Sequence, residues 1–425
     1  MCGITGFTDF KGLQVDRQQT LERMNAVIRH RGPDEQGTYV GECAALGSCR
    51  LSIIDLSGGR MPIHNEDHSL WIVFNGEIYN FPEIREELLG KGHRFTTRTD
   101  TEVILHLYEE EGPACVAKLN GMFALAIWDV NARTLFLARD RLGIKPLHYL
   151  AYPGGLIFAS EVKAILQHPL ADVRLDLEGL NKYLTYEYVP APHSMLQGIK
   201  KLKPGEWLLH TAQSTETHCY WELSFAAHEN PDIREEDYAA EILQRLQDSV
   251  RKRLLSDVPV GVLLSGGLDS SLISCLAAQA SPGQIQSFSI GFEESSFDET
   301  PYAAKVAGLL GTQHHHQVVN SRNMRDLVPR LAQILDEPLA DASIIPTYLL
   351  SQMTSQSVKV ALGGDGADEL FAGYPTYQAH ALAPYYAMLP HRLRHLIASL
   401  ASHLPVSHKN LSADFKIKQF LRGID

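Results

Sequence analysis

Two stretches of this chain combine residue types that do chemistry. The first is Val260–Ser271, VGVLLSGGLDSS. Val260, Val262, Leu263 and Leu264 predict a short buried strand. Ser265, Gly266 and Gly267 turn the chain into a helix from Ser270 to about Ala280, with Leu272, Ile273, Leu276 and Ala277 on its apolar face. Strand, glycine turn and helix together make an anion site, because glycines let backbone N–H groups approach a phosphate and the helix start adds unpaired donors. The common phosphate loop ends in Gly-Lys-Ser or Gly-Lys-Thr. Here Asp269 comes instead of a lysine, and a carboxylate repels phosphate unless Mg²⁺ stands between them. The pattern therefore predicts a site for pyrophosphate with magnesium. A bare Ser-Gly-Gly would read as a plain turn with Asp269 as helix N-cap.

The second stretch is Val358–Phe371, VKVALGGDGADELF, again an apolar strand that runs into a glycine turn. It carries Asp365, Asp368 and Glu369. With Asp269 these carboxylates suit Mg²⁺ on pyrophosphate, or a base for an attacking amine. Alone they would read as a solvated acidic loop. His314, His315 and His316 alternate faces on a strand, so they are expected to be structural or superficial rather than one metal site.

A third chemistry starts at Met1-Cys2-Gly3. Removal of Met1 would give Cys2 a thiol and a free amine on one residue, a nucleophile with its own base. A thiolate attacking a primary amide needs an oxyanion hole. Asn75 and Gly76 lie at the end of an apolar run, LWIVF, and offer a side-chain amide and an N–H. If the amide is that of glutamine, Arg50 is a candidate for its α-carboxylate. Asp100 and Glu77 are candidates for its α-ammonium. Singly, each has a plainer reading: a turn at Asn75-Gly76, an N-cap at Asp100, a surface charge at Arg50.

Stepping outward, the first half predicts a helix over Val15–Arg29 and strands over Leu46–Ile54, Leu70–Phe74, Met122–Trp128, Thr134–Ala138, Leu147–Ala151 and Leu156–Ala159. Short helices are expected at Pro82–Leu89 and Thr101–Glu110. Many short strands with few helices imply packed sheets flanked by helices. Composition shifts after Pro190, and Thr211–His218 is polar without a clear period. Domains are therefore expected at 2–210 and 236–425, joined by a linker over 211–235. In the second half, helices near 235–255 and 301–310 alternate with strands at 260–264, 286–291, 318–319 and 358–362. That alternation predicts a doubly wound parallel sheet with its ligand at the C-terminal strand ends.

The net charge of −12 argues against a nucleic-acid or anionic-membrane surface. Six scattered cysteines without a Cys-x-x-Cys pair indicate neither a zinc site nor a disulfide framework. No signal peptide or membrane-length apolar run is present, and a reducing cytoplasm is expected. A homodimer is the oligomer entertained.

The SGGLDSS segment resembles the loop of the ATP pyrophosphatase superfamily. MCGI, HRGPDEQG, RLSIIDLSGG, NGEIYN, RTDTEVI and ARDRLGIKPL, in that order, resemble the class II glutamine amidotransferase domain. With LLSGGLDSS, SFSIGFEESSFDE, DEPLADASIIPTY and LGGDGADELFAGYPTY, nearly the whole chain is similar to the glutamine-dependent asparagine synthetase family. The resemblance implies an α+β N-terminal-nucleophile sandwich (α/β/β/α), followed by the α/β doubly wound synthetase domain. It implies that Cys2 forms a γ-glutamyl thioester, that Asn75 and Gly76 stabilise the oxyanion, and that Arg50, Asn75, Glu77 and Asp100 bind glutamine. It implies ATP contacts at Leu264, Ser265, Gly267, Asp269, Ser270, Ile290, Gly363 and Gly364. Asp269 and Asp368 would hold Mg²⁺, and Asp365 takes the position of the base for ammonia attack. The implied reaction adenylates the aspartate side chain and amidates it with ammonia from glutamine, releasing AMP, pyrophosphate and glutamate.

Two departures stand out. Many members have Ser-Gly-Glu or Ser-Gly-Asp where this chain has Gly363-Gly364-Asp365, so a hydroxyl is lost. Members also continue past Asp425 with a helical region that includes a lysine on the reacting phosphate. The expectation is a fragment or a shortened relative with an incomplete synthetase half. Two rival readings stay open: a different carboxylate acceptor, and a glutaminase or nucleotide-binding protein without ligase activity.

Overall fold

The computed structural model describes residues 1–12, 15–225, 233–281, 283–407, 409–410 and 412–423. The expected linker thus falls partly outside the described residues, at 226–232, as do the last two residues of the basic end segment. Two compact units are present. The first comprises Met1–Ala240, Leu255–Val258 and Val328–Ser343, and the second Glu241–Leu254, Pro259–Leu327 and Ile344–Asp425.

The first unit holds two six-stranded sheets. One runs in the order Ile199–Lys201, His148–Tyr152, Gly155–Ala159, Gly3–Asp9, Ala44–Arg50, Glu35–Val40. The other runs Thr215–Cys219, Glu206–His210, Thr134–Arg139, Gly121–Asp129, Leu70–Ile78, Ile63–His64. Every pairing in both is antiparallel. Side chains alternate across a strand, and the alternation sorts them into three apolar layers. Ile4, Leu46, Val73, Leu135, Leu137 and Phe158 meet between the sheets. The intervening Ile72, Phe74 and Phe136 face the other way, onto Leu88 and Val103–Leu105 of the helices Phe81–Gly90 and Asp100–Glu111. Phe7, Ala45 and Ile157 face Leu21 and Met24 of the helix Arg17–Val27. The result is the expected α/β/β/α sandwich. Burial on both faces explains why these strands read as continuous apolar runs.

Several boundaries differ from the sequence expectation. The strand expected over Leu46–Ile54 is Ala44–Arg50, and the chain leaves the sheet at Arg50. The strand expected to stop at Phe74 continues to Ile78, so Asn75-Gly76 is not a turn. Asn75 pairs with Ala124 and Gly76 with Phe123. Asp100 is the first helical residue rather than the cap; Thr99 Oγ1 caps, accepting from the Glu102 N–H at 3.4 Å. Thr215–Cys219, in the polar stretch without visible period, pairs along Glu206–His210 as an edge strand. All its residues are exposed, which explains the missing hydrophobic pattern.

The second unit is built on a four-stranded parallel sheet, ordered Gln313–Val319, Gln286–Phe292, Val260–Leu263, Val360–Leu362. Val262 packs with Val250, Leu276 and Ala277, while Leu264 joins Ala303 and Ala307 in a separate cluster. The three histidines follow the strand alternation. His314 bonds Ser287 and Ser289, and His315 stacks on Phe288 at 5.1 Å.

Phe158 is fully buried between the sheets of the first unit. Phe158→Ala is expected to destabilise that unit by about 3–5 kcal/mol. The urea transition followed by tryptophan fluorescence checks this, because Trp128 lies in the same cluster.

Candidate functional site

In the first unit the sheet ends converge on Cys2. Its Sγ accepts from the Leu51 N–H at 3.4 Å. Its carbonyl accepts from Arg31 Nε at 3.0 Å. Arg31 Nη1 in turn pairs with Glu161 Oε1 at 2.8 Å. Burial alone would raise the Glu161 carboxyl, but His30 and Arg31 hold it down to about 2. Burial raises the Cys2 thiol, opposed by the Leu51 hydrogen bond and the terminal ammonium, and Glu77 and Arg50 also act on it. The Met1 amine is lowered to about 6, chiefly by burial.

Arg50 is buried, with Nη1 on Glu35 Oε2 at 2.8 Å. Its Nη2 donates to the carbonyls of Ile54 and Asp55 at 2.9 and 2.8 Å. The loop after the strand thus wraps the guanidinium, and Arg50 is not the surface charge of the plainer reading. A Cβ at Gly59 would sit 2.4 Å from Arg50 Nη2, so glycine is required where the loop closes on it.

Asn75 is fully buried, and among the described residues neither its Nδ2 nor its Oδ1 has a hydrogen-bond partner. A buried amide without partners is costly, and it fits an amide waiting for a substrate oxygen. Asp100 Oδ2 accepts from the Ile78 N–H at 2.9 Å, which ties the helix start to the strand bearing Asn75 and Glu77. Burial raises the Glu77 carboxyl, and the Asp100 charge raises it further. Burial also raises Asp100, against its backbone hydrogen bonds. Two buried carboxyls that resist ionisation together suit a bound cation.

Lys145 is a buried cation that the residue-by-residue reading missed. Burial lowers its pKa, with Glu77 and Cys2 acting in the opposite direction. Asp140 orders its turn by accepting from the N–H groups of Leu142, Ile144 and Lys145 at 2.9 to 3.1 Å. Arg31 and Lys145 sit inside the HRGPDEQG and ARDRLGIKPL motifs, which was the available signal. Asp336 and Glu337, without a role from sequence, also belong to this unit. Asp336 pairs with Lys163 at 3.3 Å, and Glu337 accepts from the Met195 N–H at 2.6 Å.

In the second unit the parallel register brings two loops together. Val260–Val262 pairs with Val360–Leu362, so Leu264–Ser270 and Gly363–Asp368 leave adjacent strands at the same sheet edge. A cleft of about 500 Å³ is lined by Leu264, Ser265, Gly267, Asp269, Ser270, Ile290, Gly363, Gly364, Asp365 and Asp368, together with Glu369. The helix spans Leu268–Ala280 and is capped by Gly267, so Asp269 lies in its first turn and is not the N-cap. Ser265 and Ser270 hydroxyls bond at 2.9 Å, and the Gly267 N–H donates to Ser265 Oγ at 3.2 Å. Gly266 has φ +86°, and a Cβ there would meet Ala303 N at 2.6 Å. A Cβ at Gly364 would lie 2.8 Å from Ser270 N, and one at Gly363 2.4 Å from Asp365 Oδ2. The cradle is therefore open because it is glycine. Among the described residues, the cleft carboxylates form no preassembled group of three metal ligands.

Residues 1–221 match the family model of the glutamine amidotransferase domain, and residues 241–421 that of asparagine synthase. The chain is 38% identical to asparagine synthetase (glutamine-hydrolyzing) 1 of Bacillus subtilis, over 95% of this chain and 64% of that protein. It is 36% identical to putative asparagine synthetase (glutamine-hydrolyzing) 2 of Methanocaldococcus jannaschii, over 96% of this chain and 81% of that protein. It is 31% identical to amidase chry2 of Gibberella zeae, over 90% of this chain and 61% of that protein. The chain spans 64% of the length of two Bacillus subtilis relatives. It belongs to the glutamine-hydrolyzing asparagine synthetase family.

A carboxyl whose folded pKa is raised costs stability that is absent below its unfolded pKa and complete above its folded one. Glu77→Gln is therefore expected to raise the thermal midpoint at pH 8 and to leave it nearly unchanged at pH 4.5. Melts of both proteins at the two pH values check the sign.

Proposed function

We propose, from this family membership and the geometry of both clefts, that the chain makes asparagine from aspartate, ATP and glutamine. The observation that carries the reading is the buried, unpartnered Asn75 amide on the strand that also bears Glu77, one of the charges acting on the Cys2 thiol. With Met1 removed, the Cys2 amine takes the thiol proton and Sγ attacks the glutamine carboxamide carbon. Asn75 and Gly76 stabilise the oxyanion. The amine returns the proton to the leaving ammonia, and water then hydrolyses the γ-glutamyl thioester. Arg50, whose Nη2 is committed to loop carbonyls, has Nε and the second Nη1 hydrogen to offer the α-carboxylate. Glu77 and Asp100 take the α-ammonium.

In the second unit, Leu264, Ser265, Gly267, Ser270, Ile290, Gly363 and Gly364 would form the ATP cradle. Asp269 and Asp368 would hold Mg²⁺, which when bound screens pyrophosphate from those carboxylates. A carboxylate becomes a workable electrophile once its oxygen belongs to a leaving group, so adenylation precedes amidation. Asp365, which lines the same cleft, would accept a proton from the attacking ammonia. Among the described residues no helix is long and apolar enough to cross a membrane. The relative named an amidase favours a second reading, amidation of another acid.

Incubation with amide-¹⁵N-glutamine, ATP, Mg²⁺ and aspartate is expected to yield ¹⁵N-asparagine and AMP by mass spectrometry. Labelled ammonia without AMP would leave a glutaminase, and AMP only with another acid would move the acceptor. Asn75→Ala is expected to cut glutaminase kcat by about 10²–10³-fold. Gly364→Ala is expected to abolish AMP formation, because its Cβ would close on Ser270 N, while glutamine hydrolysis persists.

A further inference from the structure

Far along the helix that begins at Asp100, a second polar cluster lies outside both clefts. His106 and Glu109 stand three residues apart on one helix face. Glu66 comes from the turn before the strand Leu70–Ile78, and His93 from the loop after the helix Phe81–Gly90. One ligand atom from each of these four residues lies within 4.8 Å of every other. His106 Nδ1 is 2.6 Å from Glu109 Oε2 and 3.8 Å from Glu66 Oε2, and His93 Nδ1 is 3.6 Å from Glu109 Oε2. Donors about 2.0–2.1 Å from a tetrahedral zinc ion stand roughly 3.4 Å apart. The separations here run from 2.6 to 4.8 Å, so side-chain rotations that change them by about 1 Å would let the four donors surround such an ion.

The atoms turned away from the centre are held as well. Glu66 Oε1 accepts from the Arg94 N–H at 3.0 Å, which leaves Oε2 for the cluster. Glu109 Oε1 accepts from Asn65 Nδ2 at 2.8 Å, which leaves its Oε2. His93 Nε2 faces Glu110 Oε1 at 3.1 Å, so Nδ1 is the free nitrogen. His106 is buried, and its Nε2 has no hydrogen-bond partner, standing 3.7 Å from Glu102 Oε1. Imidazole backed by carboxylate, with one carboxylate oxygen tied elsewhere, is the outer arrangement that orients metal ligands. Glu66 is partly exposed, so an ion can enter from solvent.

We propose that Glu66, His93, His106 and Glu109 form a structural Zn²⁺ site in the first unit. The ion would staple a turn, a loop and a helix that are otherwise joined there by polar contacts. Two imidazoles and two carboxylates in a tetrahedral array suit zinc among the divalent ions. The competing state is metal-free, with a proton on His106 shared among the carboxylates.

The test uses the tag-free full chain, stripped with a chelator and titrated with Zn²⁺ or Co²⁺. One tightly held ion per chain, a tetrahedral Co²⁺ visible spectrum and a higher thermal midpoint on adding Zn²⁺ are expected. His93→Gln and Glu66→Gln, which alter partly exposed side chains, should keep the far-ultraviolet circular dichroism. Both should lose at least about 100-fold in Zn²⁺ affinity, whereas Glu110→Gln, one shell out, should lose about tenfold. No ion retained at equimolar Zn²⁺, an octahedral Co²⁺ spectrum, or equal affinity in His93→Gln and the unaltered chain would overturn the site.

Discussion

Arg31 holds the Cys2 carbonyl, and Glu161 holds Arg31. These part-buried contacts add to the strand pairing of Gly3 and the Leu51 N–H in fixing Cys2 near a chain end, where ordering is usually weakest. It continues outward, because Glu161 also binds Lys163 at 3.1 Å and Lys163 binds Asp336 at 3.3 Å. Residues 328–343 are thus tied to the first unit although Glu241–Leu254 and Pro259–Leu327, which precede them in sequence, belong to the second. Each of these charges has lost much of its water, so removing one partner would leave the next uncompensated.

The same rule shapes the proposed glutamine site. Glu77, Asp100, Arg50 and Lys145 are withdrawn from water by the apolar layers around the sheets. Arg50 is neutralised by Glu35, but Glu77 and Asp100 remain an acidic pair whose ionisation is suppressed. A bound ammonium would complete that balance. Stability is thereby held below what a neutral site would have, and the deficit is the electrostatic preorganisation that the proposed chemistry uses.

In the second unit backbone register has the corresponding role. Parallel strands side by side end on the same edge, so two glycine loops far apart in sequence become the walls of one cleft. Gly363 shows how closely the walls fit. A Cβ there would lie 2.4 Å from Asp365 Oδ2, so a larger residue would require that carboxylate to turn away.

Much was legible in the residues themselves. Motif wording identified the family, and apolar runs next to glycine turns located the strands Leu70–Ile78 and Val260–Leu263, because such runs and turns are local and their physics needs few partners. The continuation of the Leu70–Ile78 strand through Asn75-Gly76 was not legible, since Asn-Gly is a turn by local preference and only pairing with Ala124 and Phe123 overrides it. The edge strand Thr215–Cys219 was hidden for the opposite reason: it buries nothing. The burial of Lys145, the hold of Arg31 on the Cys2 carbonyl and the Glu66–His93–His106–Glu109 cluster came from tertiary structure alone. A charge becomes functional when folding removes its water and sets its neighbours, and neither burial nor a contact between distant segments is written in local order.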